Sequence, residues 1–200
     1  MPFVVLGLGS NRPWQGMDSI ELLQKACAAL APLLGNMRHS SVYSTKPMYV
    51  EYQSDFYNMA VCGQAEKALT PRALLSEIHR IEAGLGRNRA EEIRNGPRSM
   101  DIDIELFGSE RILEPDLEIP HPRLAERAFV LIPMLEILSE SADCIERGMY
   151  AGLVQKARLV GTEGVMLYMS AADFAASGAL PVSRVEPDAR GQIYDGKRSE

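Results

Sequence analysis

Two aspartates one residue apart, Asp101 and Asp103, have the clearest chemical potential in this 200-residue chain. They lie in the segment M-D-I-D-I-E-L-F, where carboxylates alternate with aliphatic residues at the period of two that is typical of a β-strand. Alternation predicts Asp101, Asp103 and Glu105 on one strand face, with successive carboxylates roughly 6–7 Å apart. That spacing suits a pair of Mg²⁺ ions, which lie about 3.5–4 Å apart in two-metal phosphoryl-transfer sites. The opposite face would carry Met100, Ile102, Ile104 and Leu106.

An arginine-rich loop directly precedes this strand. Its four arginines are Arg87, Arg89, Arg94 and Arg98. The guanidinium fork matches phosphate oxygens, so loop and strand together predict chemistry on a nucleotide polyphosphate. An alternative stays open at this point, because a half-exposed antiparallel strand beside a solvated loop would show the same residues.

Composition limits the partners of the chain. A net charge of −6 argues against broad binding to nucleic acid or to a membrane surface, so a site for anions would be a local basic pocket. No run approaches 18 apolar residues, and the N-terminal M-P-F-V-V-L-G-L-G has no charged region typical of a signal peptide, which predicts a cytoplasmic protein. Three widely spaced cysteines do not indicate a disulfide framework or a zinc site, and we expect Cys27 and Cys62 to be buried thiols.

Hydrophobic periodicity indicates six elements in the order β-α-β-β-α-β. They are a strand 3–8, a helix 18–34 with an Asp18/Glu21 capping box, strands 39–45 and 56–64, a helix 70–84 capped by Thr70-Pro71, and the strand 101–107. A hairpin turn at Gly108–Glu110 would lead into a strand at 111–113, which gives a small hairpin before the C-terminal helices. This order predicts an α+β, ferredoxin-like antiparallel sheet with helices packed on it. We expect one domain over 1–160, and a C-terminal extension over 161–200, docked or partly disordered.

The strand 56–64 carries a second candidate site. Phe56 and Asn58 share one face, and together they offer a ring for stacking and an amide with donors and an acceptor. That combination suits a flat heterocycle. On alternation alone, a core phenylalanine beside an asparagine at a strand end explains the pair more simply.

Four segments in order resemble the family of 6-hydroxymethyl-7,8-dihydropterin pyrophosphokinases. They are Gly9-Ser10-Asn11, Y-S-T-K-P (43–47) continuing to Y-Q-S-D-F-Y-N (52–58), G-P-R-S-M-D-I-D (96–103), and Pro120-His121 followed by Arg127 and Phe129. The resemblance covers about residues 3–150. It implies transfer of pyrophosphate from ATP to the pterin hydroxymethyl group, with release of AMP, in folate synthesis.

The resemblance also implies roles for individual residues. Asp101 and Asp103 match ligands of two Mg²⁺ ions, and Arg87, Arg98 and Asp103 match the catalytic set. The residues that match the ATP side are Glu82, Arg87, Arg98, Ile104, His121 and Arg127. The residues that match the pterin side are Thr45, Met48, Phe56, Asn58 and Phe129, with the two rings enclosing the pterin. The implied partners are thus two small molecules, ATP and a pterin.

The chain departs from the family pattern in three places. The arginine loop is one residue longer, Asn95 stands where an aromatic residue often precedes Gly-Pro-Arg, and His79 stands where a glutamine can occur. Two other classes compete with the pterin enzyme. A ferredoxin-like nucleic-acid module conflicts with the acidic charge and lacks the aromatic-basic RNA-binding pattern. A cyclase-type two-metal nucleotidyl enzyme would use the aspartates, but it would not explain Asn58 between candidate stacking rings.

Overall fold

The computed structural model describes residues 1–47, 52–89, 93, 96–139 and 144–178. The strands are β1 (Phe3–Ser10), β2 (Leu34–His39), β3 (Val42–Thr45), β4 (Phe56–Ala65), β5 (Asp101–Phe107), β6 (Ile112–Glu114), β7 (Leu117–Ile119) and β8 (Val165–Met169). The helices are α1 (Ser19–Leu30), α2 (Pro71–Gly84), α3 (Ala128–Ser139), α4 (Cys144–Val160) and α5 (Ala171–Ser177), with a 3₁₀ turn at Leu124–Glu126.

The main sheet has the strand order β5-β1-β4-β3-β8, and every adjacent pair in it is antiparallel. β2 pairs with the far half of β4, so β2 and β3 share one partner strand. With β2 and β3 taken as one interrupted strand, the path up to β5 is the βαββαβ arrangement. The ferredoxin-like fold predicted from the sequence is therefore confirmed.

Side-chain caps fix where the first two helices begin. The Asp18 carboxylate accepts hydrogen bonds from the amides of Ile20 and Glu21, while Glu21 reaches back to the Asp18 amide at 2.9 Å. The Thr70 hydroxyl accepts from the Ala73 amide at 3.2 Å, with Pro71 at the first helical position. Both predicted helix starts are confirmed.

Helices cover the two faces of the sheet to different extents. α1 and α2 pack on the first face with a large apolar cluster that includes Leu22, Leu30 and Ile78. On the second face, α3 and α4 cover Val5, Ala60 and Cys62. Gly7 and Gly9 continue the side-chain alternation of Val5 along β1, beyond the apolar cluster of α3 and α4. This end of the second face is a cleft.

Two predicted element boundaries are wrong. Leu34 was expected to end the first helix, but α1 ends at Leu30 and Leu34 begins β2, where it is buried in the same core. Spacing alone could not separate these cases, because either conformation buries Leu34. The expected strand 39–45 divides at Ser40 and Ser41, where β2 ends and β3 begins.

Two further expectations about strand pairing are also corrected. A β-bulge at Glu105 shifts the register of β5 against β1, so that Leu106 packs with the second-face cluster and Phe107 with the first. Leu106 therefore does not share a face with Ile102 and Ile104. The hairpin after Gly108 forms between β6 and β7, because Glu114-Pro115-Asp116 turns the chain back on itself.

The C-terminal region contributes both a strand and a helix. β8 pairs with β3 as the outermost strand, and Phe174 of α5 is fully buried in the first-face core. The division of the chain at residue 160 stays a prediction, and residues 179–200 lie outside the described part.

Cys27 and Cys62 are buried thiols, as expected. Among the described residues, no helix has the length and apolarity to cross a bilayer.

Candidate functional site

The floor of the cleft is a row of residues across three strands. Gly9 pairs with Asn58 on one side and with Asp101 on the other, and Gly7 pairs with Asp103. A Cβ on Gly7 would lie 2.9 Å from Oε1 of Glu105, and one on Gly9 would lie 3.0 Å from Oδ1 of Asn58. The two glycines thus leave an open floor, with Asn58 and Asp101 about 10 Å apart across it.

Arg87 connects the end of α2 to the start of β5. Its Nη1 donates to Oε1 of Glu82 and to Oδ1 of Asp101. The Glu82 carboxylate, only 1% exposed, also accepts from Nη2 of Arg89 at 2.5 Å and from the Ile102 amide at 2.9 Å. Glu82 therefore holds Arg87, Arg89 and the beginning of β5 in place beside the cleft.

Arg98 closes the other side of Asp101. Its Nη1 donates to Oδ2 of Asp101 at 2.5 Å. Asn11 fixes the backbone of Arg98 with two hydrogen bonds. Oδ1 of Asn11 accepts from the backbone amide of Arg98 at 2.8 Å, and the backbone amide of Asn11 donates to the Arg98 carbonyl at 3.1 Å. The Nδ2 of Asn11 reaches the Gln53 side chain at 3.1 Å. The Gly9-Ser10-Asn11 segment thereby ties the arginine loop to the segment before β4.

The two aspartates differ in charge state. Burial alone would raise the pKa of Asp101, but Arg87 and Arg98 outweigh it and hold that pKa below its ordinary value. Burial, together with the neighbouring Asp101 carboxylate, raises the pKa of Asp103 to about 7. Asp103 is therefore the carboxylate that lacks enough positive charge beside it.

Glu105 is a third carboxylate at the base of the cleft. It is fully buried, and no described residue offers a hydrogen bond to either of its oxygens. Burial first, and then Asp103, raise its pKa well above the ordinary value. Nδ1 of the His121 imidazole lies 3.9 Å from Oε2 of Glu105.

The carboxylates fit a hard cation by their chemistry. Mg²⁺ prefers oxygen ligands and commonly takes only one or two carboxylates, with water and phosphate oxygens completing its shell. Asp101 and Asp103 supply such a pair on one strand face, and the under-neutralised Asp103 would gain from a nearby positive charge. Among the described residues, no group of three or more acidic, histidine or cysteine side chains is arranged to hold a metal ion.

Two basic groups face the carboxylates from the segment before α3. Burial, followed by the charge of Arg127, lowers the pKa of His121 to about 4, so its imidazole is neutral at pH 7. Nδ1 of His121 accepts from the Arg123 amide at 3.2 Å, which leaves the proton on Nε2. The Nε of Arg127 is buried and makes no hydrogen bond with any described residue. The cleft thus holds donors suited to an anion.

The aromatic end of the cleft contains most of the predicted pterin-side residues. Phe56, Asn58, Thr45 and Phe129 all line it, and both rings are only partly buried. Nδ2 of Asn58 donates to Oγ1 of Thr45 at 2.8 Å, which fixes the amide orientation. The guanidinium of Arg127 lies 5.5 Å from the centre of the Phe129 ring.

One predicted site residue is placed differently, and another lies outside the described residues. The side chain of Ile104 packs in the first-face core, so a contact with a ligand in the cleft would need its backbone. Met48 lies outside the described residues, as do Arg94 and Asn95. His79 lies on α2, and burial followed by the charge of Arg89 lowers its pKa.

Several residues that line the cleft were not expected from the sequence, among them Gly7, Gly9 as part of the floor, Lys46, Gln53, and Glu105 as a buried group. The alternation of Val5, Gly7 and Gly9 along β1 was the available signal. It predicts glycines on one face beside the helix-covered part of the sheet. The unpaired state of Glu105 has no sequence signal, since it depends on which remote residues surround its carboxylate.

Comparison with known proteins gives one family. The family model of 7,8-dihydro-6-hydroxymethylpterin-pyrophosphokinase (HPPK) matches this chain over residues 5–139. A 2-amino-4-hydroxy-6-hydroxymethyldihydropteridine pyrophosphokinase of Bacillus subtilis is 46% identical over 138 residues, which are 68% of this chain and 77% of that protein. The corresponding protein of Aquifex aeolicus is 39% identical over 137 residues, covering 68% of this chain and 81% of that protein.

Longer proteins match over part of their length. The mitochondrial folate synthesis bifunctional protein of Pisum sativum is 36% identical over 143 residues, which are 70% of this chain and 26% of that protein. The chain thus spans about a quarter of the length of that relative. A crystal structure of Plasmodium falciparum HPPK-DHPS superimposes with a TM-score of 0.58 at 18% identity, covering 82% of this chain and 48% of that one. This likeness supports the fold.

Proposed function

This chain belongs to the 7,8-dihydro-6-hydroxymethylpterin-pyrophosphokinase family, and from that premise we propose its reaction. The enzyme transfers pyrophosphate from ATP to the hydroxymethyl group of 6-hydroxymethyl-7,8-dihydropterin and releases AMP, as a step in folate synthesis. The single observation that carries the proposal is the arrangement of the cleft. One floor joins a stacking and hydrogen-bonding end to an end with paired aspartates and arginines.

The pterin would occupy the end between Phe56 and Phe129. A flat, electron-poor ring system stacks favourably on aromatic faces. The Asn58 amide, held by Thr45, would supply donors and an acceptor to the guanidine-like edge of the pterin. Met48 remains a predicted member of this wall. Stacking and edge recognition would fix the direction in which the hydroxymethyl group points.

The triphosphate of ATP would occupy the basic and acidic end. Arg87, Arg98, Arg127 and the Nε2–H of His121 are donors for phosphate oxygens and for charge that develops during transfer. Two Mg²⁺ ions, held by Asp101 and Asp103, would neutralise part of the triphosphate charge when bound. Glu82 would act through the arginines and the Ile102 amide that it holds.

In the reaction, the pterin hydroxyl oxygen forms a bond to the β-phosphorus of ATP. The bond between that phosphorus and the oxygen bridging to the α-phosphate breaks, AMP takes the electron pair, and the hydroxyl proton is released to the solvent. The contribution of the protein is to align the two substrates and to stabilise charge, since phosphoryl transfer requires little other covalent chemistry.

The direct test is a product assay with the purified full-length chain. Incubation with MgATP and 6-hydroxymethyl-7,8-dihydropterin should give AMP and a pterin diphosphate in equal amounts, identified by mass spectrometry. Omitting the pterin, or chelating Mg²⁺, should abolish AMP formation. Release of ADP, or AMP formed equally well without the pterin, would contradict the proposal.

A further inference from the structure

β8 and α5 (residues 165–177, the C-terminal unit) follow the part of the chain that matches the family and pack beside the pterin end of the cleft. β8 pairs with β3, and β3 pairs with β4 at Tyr43–Asn58 and Thr45–Phe56. The C-terminal unit therefore makes the four-residue strand β3 an internal strand. Without it, that strand would have a partner on one side only.

The C-terminal unit is anchored in the core by its helix. Phe174 is fully buried, and its ring meets the His39 ring edge-on with centroids 5.2 Å apart. The Ser170 hydroxyl caps α5 by accepting from the Asp173 amide at 3.1 Å. The Tyr168 ring meets Tyr57, the residue between Phe56 and Asn58, at 4.6 Å. These contacts fix β8 against the strands that carry the candidate pterin residues.

Ser41 joins the C-terminal unit to the opposite wall of the cleft. Its hydroxyl accepts from the Ala171 amide at 3.0 Å and donates to Oε1 of Glu136 at 2.7 Å. The Glu136 carboxylate also accepts from the Ser41 amide at 2.9 Å and from the Tyr43 hydroxyl at 2.9 Å. Glu136 lies on α3 about two turns after Phe129, on the same side of the helix.

We propose that the C-terminal unit is a positioning element that sets the separation of the two pterin-stacking rings. It acts on Phe56 through β3 and on Phe129 through Ser41 and Glu136. This inference rests on the proposed function. No residue of the C-terminal unit lines the cleft as the structure describes it, so its effect on ligands would be indirect. The aspartates lie on β5, on the other side of β1 from β4 and β3, and no described hydrogen bond joins them to Ser41.

The sharpest test is Ser41→Ala in the full-length chain, because it removes one hydroxyl and leaves the core side chains in place. Affinity for a pterin analogue should fall about tenfold, a loss within the range that base–aromatic stacking contributes per ring. Affinity for a non-hydrolysable MgATP analogue should be unchanged. The matched control is Ser19→Ala. It removes from α1 a buried hydroxyl that accepts a hydrogen bond from the Ser10 hydroxyl of β1 at 3.0 Å. It should affect stability without affecting pterin affinity.

A second pair of variants tests the anchor. Phe174→Ala and Phe107→Ala make the same truncation in the same apolar cluster, but only the first lies in the C-terminal unit. At a temperature well below both melting points, only Phe174→Ala should weaken pterin binding. If Phe174→Ala does not fold, Ser41→Ala decides the question.

The inference would be overturned if Ser41→Ala bound the pterin analogue as tightly as Ser19→Ala, or if both ligands lost affinity equally. Failure of the proposed function has a different signature. In that case the wild-type chain itself would show no pterin binding and no pterin-dependent AMP formation.

Discussion

Arg87 and Asp101 form an ion pair, with Nη1 of Arg87 on Oδ1 of Asp101. The side chain proposed to bind phosphate and the side chain proposed to bind Mg²⁺ therefore neutralise each other. Arg98 adds a second cation at 2.5 Å. Binding of MgATP would replace these contacts, with phosphate taking the arginines and Mg²⁺ taking the carboxylate.

The first prediction concerns Asp101→Ala and Asp103→Ala. Both should nearly abolish turnover, but their effects on stability should be opposite. Asp101→Ala leaves Arg87, whose side chain is 9% exposed, without one of its carboxylate partners, and should lower Tm. Asp103→Ala removes an under-neutralised carboxylate beside Asp101, and should raise Tm slightly. Thermal melts beside activity assays check both. Activity of either variant within about tenfold of wild type would contradict the metal assignment.

The second prediction is a pH dependence of stability in metal-free protein. The folded-state pKa of Asp103 is raised from 3.8 to about 7, so between these values the folded protein binds more protons at this site than the unfolded chain. The stability that protonated Asp103 contributes to the folded protein is complete below about pH 3.8, and it is lost as pH rises through 7. Asp103→Asn should therefore gain stability relative to wild type as pH increases. Melting both proteins with a chelator at pH 4.5 and 8.5 tests this, and a constant difference in Tm would contradict it.

The third prediction concerns the stacking rings. Complete burial in a core would make Phe56→Ala or Phe129→Ala cost about 3–5 kcal/mol of stability. Because both rings are partly exposed in the cleft, we expect a smaller loss of stability. Pterin affinity should fall by about 1–3 kcal/mol per ring, by analogy with base–aromatic stacking. Affinity for an ATP analogue alone should change little.

Calorimetric titration with each ligand and a thermal melt measure these quantities. Phe107→Ala is the control, since Phe107 is 3% exposed and lies in the core. It should lose stability and retain pterin affinity. Strong destabilisation of Phe56→Ala with unchanged pterin affinity would assign that ring to the core.

The fourth prediction uses Trp14, the single tryptophan of the chain. Gly86, which has φ of +87°, lies against its ring so closely that a Cβ there would be 2.4 Å from the indole. Arg12 Nη2 also donates to the Gly86 carbonyl at 3.4 Å. Since Gly86 precedes Arg87, rearrangement of the arginine on nucleotide binding should change Trp14 fluorescence.

The measurement is a titration of MgATP analogue, with Trp14→Phe to establish the source of the signal. A pterin analogue alone should change the fluorescence much less. If calorimetry shows nucleotide bound at saturation while the fluorescence is constant, the proposed coupling between Gly86 and the arginine is wrong.

Local sequence patterns predicted most of the fold. The capping box at Asp18, the Thr70-Pro71 start and the alternation in Asp101–Phe107 are interactions between residues close in sequence. Such signals are readable because helix caps and strand alternation depend on a few neighbouring residues. The same locality explains the error at Leu34, whose burial is compatible with a helix or with a strand.

The sequence by itself determined the element order, the facing of Asp101 and Asp103, and the segments that resemble the pterin enzymes. The tertiary structure alone decided the ion pair of Arg87 with Asp101, the glycine floor beside Asn58, and the burial of Glu105. It also decided that β8 pairs with β3. The physical reason is distance along the chain. Strand register, ion pairing and desolvation depend on which remote residues meet, and no local periodicity encodes that choice.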